Sequence, residues 1–325
     1  MPPKNIVIAG GGTGVRALLE NLMKCSPDKV DITTITAMSD SGGSTGVLRE
    51  AEDIQAVGDI RQQLVACMPA AAAAAFERRI PVEGQSTLHP VGNLFLLFLL
   101  RATGGDIQAA TDMARQLFSL PHKVLPVTQD KIHLHALMSD GQTLNREHLI
   151  ELEQQKGNFI DRLWLTPECS VNPLAESACE EADLIVLGPG SLYTSVLPVL
   201  LVSGVVEAIK ASSARVVFVA NLATESGVRE ETACAQADTV NRHLGGRLDA
   251  VLCSRSVFPA DLLKQYEEER GRKPVAIGNL IPPPYEVLIE DLLELRPISM
   301  GAEKLSRPVV RHGLRTAEVL LGMNC

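Results

Sequence analysis

The sequence predicts an α/β protein of Rossmann-like type, with a mostly parallel sheet, helices on both faces and a β-hairpin insertion. Two observations lead to this fold class. Apolar, strand-like runs end in glycine-rich loops near residues 5–14, 31–46 and 183–190. Helix-like segments alternate with such runs along the chain, as parallel strands require for their crossover connections. The loops that follow parallel strands are where such sheets place their binding residues.

The first of these units begins with an apolar run at residues 6–9, which is typical of a buried parallel strand. Glycines follow at once, and residues 15–23 have the pattern of a helix. This arrangement directs backbone N–H groups and the positive end of the helix dipole towards an anion. We therefore expect a phosphate to be bound by Gly11, Gly12, Thr13 and Gly14. Val15 stands where the dinucleotide fingerprint requires its third glycine, so an NAD enzyme does not follow.

The second unit carries an acid in its glycine-rich loop. Residues 31–38 are rich in β-branched side chains and predict a strand, and the loop SDSGGSTG follows at residues 39–46. Asp40 would lie beside the first glycine loop, where it could bind a ribose hydroxyl or a divalent cation. The alternative is that Asp40 and Ser41 only shape a turn. The ligand-binding candidates of this loop are Asp40, Ser41, Gly42, Gly43, Ser44 and Thr45.

Two further segments supply polar candidates. Asp59 could cap the helix that begins near Gly58, while Arg61, one turn further on, could face a phosphate. His89 and Asn93 stand at the start of an apolar helix-like run, residues 89–100, which we expect to be buried. His89 could be a cap or a core partner, but a helix N-terminus at this place could also face the cleft. All four residues are candidate ligand contacts.

The pattern changes near residue 122. Apolar and polar residues alternate there, and Asp140–Gly141 is a turn dipeptide, so we expect a β-rich insertion at about residues 122–165. His133 and His135 would share one face of a strand, but no third metal ligand lies near them in sequence. We predict a single nucleotide-binding α/β domain over residues 1–325 with this insertion.

A third glycine turn follows the apolar run at residues 183–188 and carries several hydroxyl groups. Backbone N–H groups and hydroxyls together suit phosphate or sugar oxygens. The alternative is a plain strand-to-helix connection in which Pro189 fixes the turn. A polar loop also follows the strand predicted at residues 215–220. The candidates from these two loops are Gly188, Gly190, Ser191, Tyr193, Thr194, Asn221 and Thr224.

Composition excludes several classes of protein. A formal net charge of −9, 3% aromatic residues and one tryptophan argue against a nucleic-acid partner. The seven cysteines are scattered and never in C-x-x-C spacing, which favours free thiols in a reducing cytosol. The longest apolar run, residues 94–100, is far too short to cross a membrane. We expect a cytoplasmic protein with no membrane span.

The loops taken together resemble one family. The segments GGGTG, SDSGGSTG, GDIR, H-x-x-GN, VLPVT, ADLIVLGPGSLYTSVLP and N-L-x-T occur in this order. This series resembles the gluconeogenesis factor family (YvcK-type proteins), which is related to 2-phospho-L-lactate transferase of coenzyme F420 synthesis. The likeness runs from about residue 5 to about residue 249, and residues 182–198 are its most specific part.

The resemblance implies a cytosolic protein that binds a nucleotide or a nucleotide sugar, and UDP-sugars in particular. It also implies a role in carbon metabolism and cell-envelope morphogenesis. The alternative is a Mg²⁺-dependent transferase, in which Asp40 would be a catalytic residue and a metal ligand. Ser41 stands where many relatives have a second aspartate, and this missing carboxylate favours a binding protein over a transferase. We further expect a homo-oligomer.

Overall fold

The computed structural model describes residues 3–26, 30–84, 86–278, 283–299 and 306–323. Within these residues, the central sheet has seven strands that all pair in parallel. Its strands are β1 (Lys4–Gly10), β2 (Val30–Thr36), β5 (Lys123–Pro126), β9 (Leu184–Leu187), β10 (Arg215–Val219), β11 (Ala250–Ser254) and β12 (Glu286–Glu290).

Smaller sheets and the helices surround this sheet. The remaining strands are β3 (Arg79–Ile80), β4 (His89–Pro90), β6 (His133–Met138), β7 (Thr143–Leu144), β8 (Ile160–Thr166), β13 (Leu293–Ser299) and β14 (Ser306–His312). The helices are α1 (Gly12–Cys25), α2 (Gly43–Glu52), α3 (Gly58–Val65), α4 (Ala70–Glu77), α5 (Val91–Ala102), α6 (Ile107–Leu117), α7 (Glu147–Gln155), α8 (Pro173–Glu180), α9 (Leu197–Leu200), α10 (Val205–Ala211), α11 (Ala233–His243), α12 (Ala260–Arg270) and α13 (Leu314–Leu321). A π-helical turn, Leu192–Val196, precedes α9.

The strand order places a topological switch point between β1 and β9. Across the sheet the order is β12-β11-β10-β9-β1-β2-β5, so the chain runs from β1 to one edge and then returns to β9. In such sheets a crevice opens beyond the carboxyl ends of the two strands where the order reverses. The first and third glycine loops follow β1 and β9, and they are therefore neighbours in space.

Alternate residues of the strands enter two separate cores. Val7 and Ala9 of β1 face one apolar cluster, and Ile6 and Ile8 face the other. Helix α1 covers the second cluster together with α13, while α3 and α5 contribute to the first. Helices thus lie on both faces of the sheet, as the sequence predicts. Strand β12 forms one edge of the sheet, although no strand is predicted there from the sequence. Its Val287 and Ile289 pack against the first cluster.

The β-rich segment begins later in the chain than the expected insertion. Strand β5 pairs with β2 in the central sheet, because Val124 and Leu125 are both buried in its core. The separate small sheet begins only at β6 and has the order β7-β6-β8. The Asp140–Gly141 turn joins β6 to β7, and helix α7 then lies between β7 and β8. The segment is therefore a hairpin extended by a helix and a third strand.

Helix α5 is less buried than the apolar run predicts. It begins at Val91, after the short strand β4, and the side chain of Phe98 is 65% exposed. Phe95 instead packs in a ring cluster with Phe76 and Phe118, with centroids 5.3 and 6.0 Å away. Only one face of α5 therefore lies against the core.

Candidate functional site

The first glycine loop touches the third. Strand β1 ends at Gly10 and α1 begins at Gly12, so the first turn of α1 lies at the switch point. A Cβ atom at Gly14 would overlap the carbonyl oxygen of Pro189. Only glycine permits this close approach. Thr13 and Gly14 line a cavity at this helix end.

The second glycine loop is held by its own acid and by a buried arginine. Asp40 accepts a hydrogen bond from the Gly42 amide at 2.8 Å, which is the turn geometry anticipated for this residue. The Arg49 guanidinium is buried and donates to the carbonyl oxygens of Ser39 and Asp40, the latter at 2.7 Å. Gly43 begins α2 in open space, and Thr45 is buried with its hydroxyl against Gly58. The loop backbone is therefore fixed without a ligand.

Asp59 is not the cap of α3, because the residue that precedes this helix is Val57. Its carboxylate instead accepts a hydrogen bond from the Gly12 amide at 2.9 Å. Loss of water and the nearby charge of Asp40 raise the pKa of Asp59 to about 7. Asp59 therefore ties α3 to the first glycine loop, and its raised pKa places its titration near neutral pH.

Four candidates form one buried hydrogen-bonded chain. The Nε of Arg61 donates to Oδ1 of Asn93 at 2.8 Å, and Nδ2 of Asn93 donates to the Ser44 hydroxyl at 3.0 Å. Because arginine is only a donor, it fixes the orientation of the Asn93 amide. The Ser44 hydroxyl lies 2.8 Å from Nδ1 of His89, whose Nε2 is buried and has no partner among the described residues. This chain ties α2 to α5 beneath the second loop.

Hydroxyl groups of the third loop are bonded to carboxylates. Ser191 donates to Glu225 at 2.7 Å, Tyr193 donates to Glu230 at 2.9 Å, and Thr194 donates to Glu151 at 3.2 Å. Gly188 directly follows β9 and has a φ of +76°, beside the carbonyl oxygen of Val219. Gly190 and Ser191 line the same cavity as Gly14.

The loop after β10 forms the next wall. Asn221 lines the cavity and donates its side-chain amide to Glu225 at 2.6 Å. Burial raises the pKa of Glu225 to about 7, although the bond from Ser191 and the charge of Arg272 oppose that shift. The Thr224 hydroxyl accepts a hydrogen bond from the Lys273 amide at 2.9 Å, so this candidate binds the backbone of a neighbouring segment.

Helix α7 covers the cleft. None of its residues is among the ligand-binding candidates predicted from the sequence. Glu147 accepts from the Ser41 amide at 3.2 Å, and the His148 amide donates to the Ser41 hydroxyl at 3.0 Å. Glu151 accepts from Thr194, and Gln154 donates to the Gly227 carbonyl. Burial and the charge of Glu151 raise the pKa of Glu147 well above its usual range. The spacing of residues 147, 151 and 154 along one helix face is the signal in sequence.

The cavity has a volume of about 330 Å³, and the C-terminal part of the chain builds one of its walls. That wall contains Tyr266 and Arg272, together with residues 309–312 of β14. No site residue is predicted beyond Thr224, because no recognisable motif follows it in the sequence. The described residues contain no preformed group of three His, Cys, Asp or Glu side chains that could hold a metal ion.

A family model described as 2-phospho-L-lactate transferase CofD matches residues 6–292. The gluconeogenesis factor of Bacillus subtilis is 38% identical over 273 residues, which cover 82% of this chain and 84% of the relative. That of Halalkalibacterium halodurans is 38% identical over 283 residues and covers 85% of each chain.

Among solved structures, that of protein BH3568 from Bacillus halodurans superposes with a TM-score of 0.87 at 32% identity, over 98% of this chain and 99% of the other. None of the helices in the described residues is long and apolar enough to span a membrane. With matches of this extent in sequence and in structure, the chain belongs to the gluconeogenesis factor family, whose members carry the CofD-like α/β domain.

Proposed function

We propose that this protein binds a nucleotide sugar of the UDP-sugar type, with a phosphate of its diphosphate group at the N-terminus of α1. The observation that carries the proposal is the convergence of the first and third glycine loops on one cavity at the switch point. Helix N-termini of this kind favour phosphate through their free amides and their dipole. A volume of about 330 Å³ is in the range of small-molecule sites.

The charge of the cleft supports a cation as part of the ligand. The charges of Asp40 and Glu151 contribute to the raised pKa values of Asp59 and Glu147, so these four carboxyl groups lie near one another. Ionised carboxylates would repel a diphosphate, because like charges at short distance are unfavourable. Mg²⁺ is usually held by one or two carboxylates, several waters and substrate phosphates. Asp40 and Asp59 fit that role, with the ligand completing the coordination.

Calorimetric titration of the protein with UDP-sugars, GDP and NAD, with and without Mg²⁺, tests this proposal. We expect UDP-sugars to bind, to bind more tightly with Mg²⁺, and to remain chemically unchanged. In Asp40→Asn the effect of Mg²⁺ should be lost. Asp53→Asn is the matched control, because this carboxylate at the end of α2 is 91% exposed. Absence of binding to every nucleotide would overturn the proposal.

A transferase of the phospholactate type is the second candidate, and the position of Asp59 favours it. A carboxylate whose pKa is about 7 is suited to accept a proton from an attacking hydroxyl group. Formation of a phosphodiester from the deazaflavin Fo and nucleotide-activated phospholactate, lost in Asp59→Asn, would support this activity. Tight binding of a nucleotide sugar without any turnover would instead support a regulatory protein, which we propose acts in the cytosol on carbon metabolism and cell-envelope morphogenesis.

A further inference from the structure

We infer a second anion subsite in the same cavity, built around Arg272. It rests on the proposed nucleotide-diphosphate ligand and specifies what that ligand must carry. The first subsite is the N-terminus of α1, with Thr13 and Gly14. Arg272 lines the same cavity, in a segment for which the sequence predicts no site residue.

The backbone on both sides of Arg272 is fixed. Its amide donates to the carbonyl of Tyr266 at 3.0 Å, in the hydrogen-bonded turn that ends α12. On the other side, Thr224 and Lys273 bond in both directions: the Thr224 amide donates to the Lys273 carbonyl at 2.7 Å, and the Lys273 amide donates to the Thr224 hydroxyl. The guanidinium is therefore carried on an anchored segment that faces the loop after β10.

Arg272 has an unmet hydrogen-bonding group inside this wall. Its Nε is buried and has no hydrogen-bond partner among the described residues. A buried donor without an acceptor is unfavourable, and such groups in native proteins are usually satisfied by a ligand, an ion or water. An anionic ligand oxygen would satisfy the donor and use the charge at the same time.

The neighbouring carboxylate of Glu225 leaves the positive charge of Arg272 available to a ligand. Glu225 already accepts hydrogen bonds from Ser191 and Asn221. Its pKa of about 7 means that it is partly protonated at neutral pH, so it neutralises the guanidinium only in part. The planar guanidinium is suited to bind the paired oxygens of a phosphate or a carboxylate. The subsite therefore requires a second oxyanion, either the distal phosphate of a diphosphate or the carboxylate of a sugar acid.

Binding constants of UMP, UDP-glucose and UDP-glucuronate for the intact protein and Arg272→Gln test the subsite. We expect the variant to bind UDP-glucose about tenfold to a hundredfold more weakly, as the loss of a charged hydrogen bond implies, and UMP as well as the wild type does. Arg272→Lys should recover part of the loss, because it keeps the charge but not the planar fork. Lys273→Gln is the matched control, since it removes the same charge from the exposed neighbouring side chain.

The ligand series identifies which oxyanion is bound. If Arg272→Gln weakens the binding of both UDP-glucose and UDP-glucuronate, the subsite binds the distal phosphate. If it weakens the binding of UDP-glucuronate alone, the subsite binds the carboxylate. Unchanged binding of all three ligands, or an equal loss for UMP, would overturn the subsite while leaving the proposed function intact. A wild-type protein that binds none of them contradicts the proposed function itself. The fluorescence of Trp164 and the melting temperature establish that each variant is folded.

Discussion

At the scale of single residues, the sequence indicates which polar side chains lie near the glycine loops, but it does not indicate what each of them binds. His89, Asn93, Ser44 and Arg61 are each candidate ligand contacts, but the structure joins them in one buried chain of hydrogen bonds. Local patterns show that a polar residue stands near a glycine loop. They do not show whether its partner is a ligand or a residue 30 to 50 positions away, because such pairs form only when the chain has folded.

Of these four residues, Asn93 is the one whose replacement we expect to destabilise the protein most. In Asn93→Ala, the buried Arg61 Nε loses its acceptor and the Ser44 hydroxyl loses a donor. We expect the free energy of unfolding to fall by about 2–4 kcal/mol, because a buried charged group is left without its partner. Urea denaturation followed by circular dichroism measures this change. Asn145→Ala removes an exposed amide and is the control; an equal loss in both variants would contradict the role of the chain.

At the scale of elements, the strands that lead into the three glycine loops could be predicted from the sequence, and the helix that covers the cleft could not. The loops follow apolar strands directly, so sequence order alone places them at one edge of the sheet. Helix α7 reaches the cleft through contacts such as the bond from Ser41 to Glu147, which are 106 residues apart. Strand β5 was assigned to the insertion for a similar reason, since only its pairing with β2 reveals the sheet to which it belongs.

The packing of α7 over the cleft can be tested at Gly227. A Cβ atom there would lie 2.5 Å from both Cα of Gln154 and the carbonyl oxygen of Asn158. We expect Gly227→Ala to displace α7, to destabilise the protein by about 1–3 kcal/mol beyond the backbone strain, and to weaken ligand binding.

Gly141→Ala is the matched control for that strain. Gly141 also has a positive φ, +87° compared with +64° at Gly227, but nothing lies within 4 Å of its Cβ position. Denaturation and ligand titration of both variants separate the two effects. If the two variants are equally destabilised and bind ligand equally well, α7 does not depend on this contact.

At the scale of the whole molecule, the site is assembled from both ends of the chain. Thr13 and Gly14 near the beginning of the chain and residues 309–312 near its end line the same cavity. Nothing in the sequence of the C-terminal elements indicates a binding wall. Their place follows from α13 packing on α1, which buries Ala317 and Leu320 against Leu18 and Leu22. A site shared in this way should link ligand binding to the stability of the entire fold.

The same cleft makes global stability depend on pH through its carboxyl groups. The pKa values of Asp59 and Glu225 are raised to about 7, so the folded protein holds protons that the unfolded chain has released well below pH 6. Because the folded state binds more protons in this window, these two groups reduce stability as the pH rises through 7. The buried imidazoles of His122 and His312, whose pKa values are lowered to about 4, act in the opposite direction, so the comparison must isolate the carboxyl groups.

The double variant Asp59→Asn, Glu225→Gln provides that comparison, because both replacements keep the side-chain shape and all histidines remain. We expect its free energy of unfolding to rise relative to the wild type by about 1 kcal/mol for each carboxyl group between pH 6 and pH 8. Urea denaturation at these two pH values measures the difference directly. If the difference in free energy of unfolding between the double variant and the wild type stays constant or shrinks as the pH rises, neither carboxyl group is protonated in the folded cleft. A nucleotide bound with its cation should reduce the same pH dependence in the wild type, since the cation stabilises the ionised carboxylates that burial disfavours.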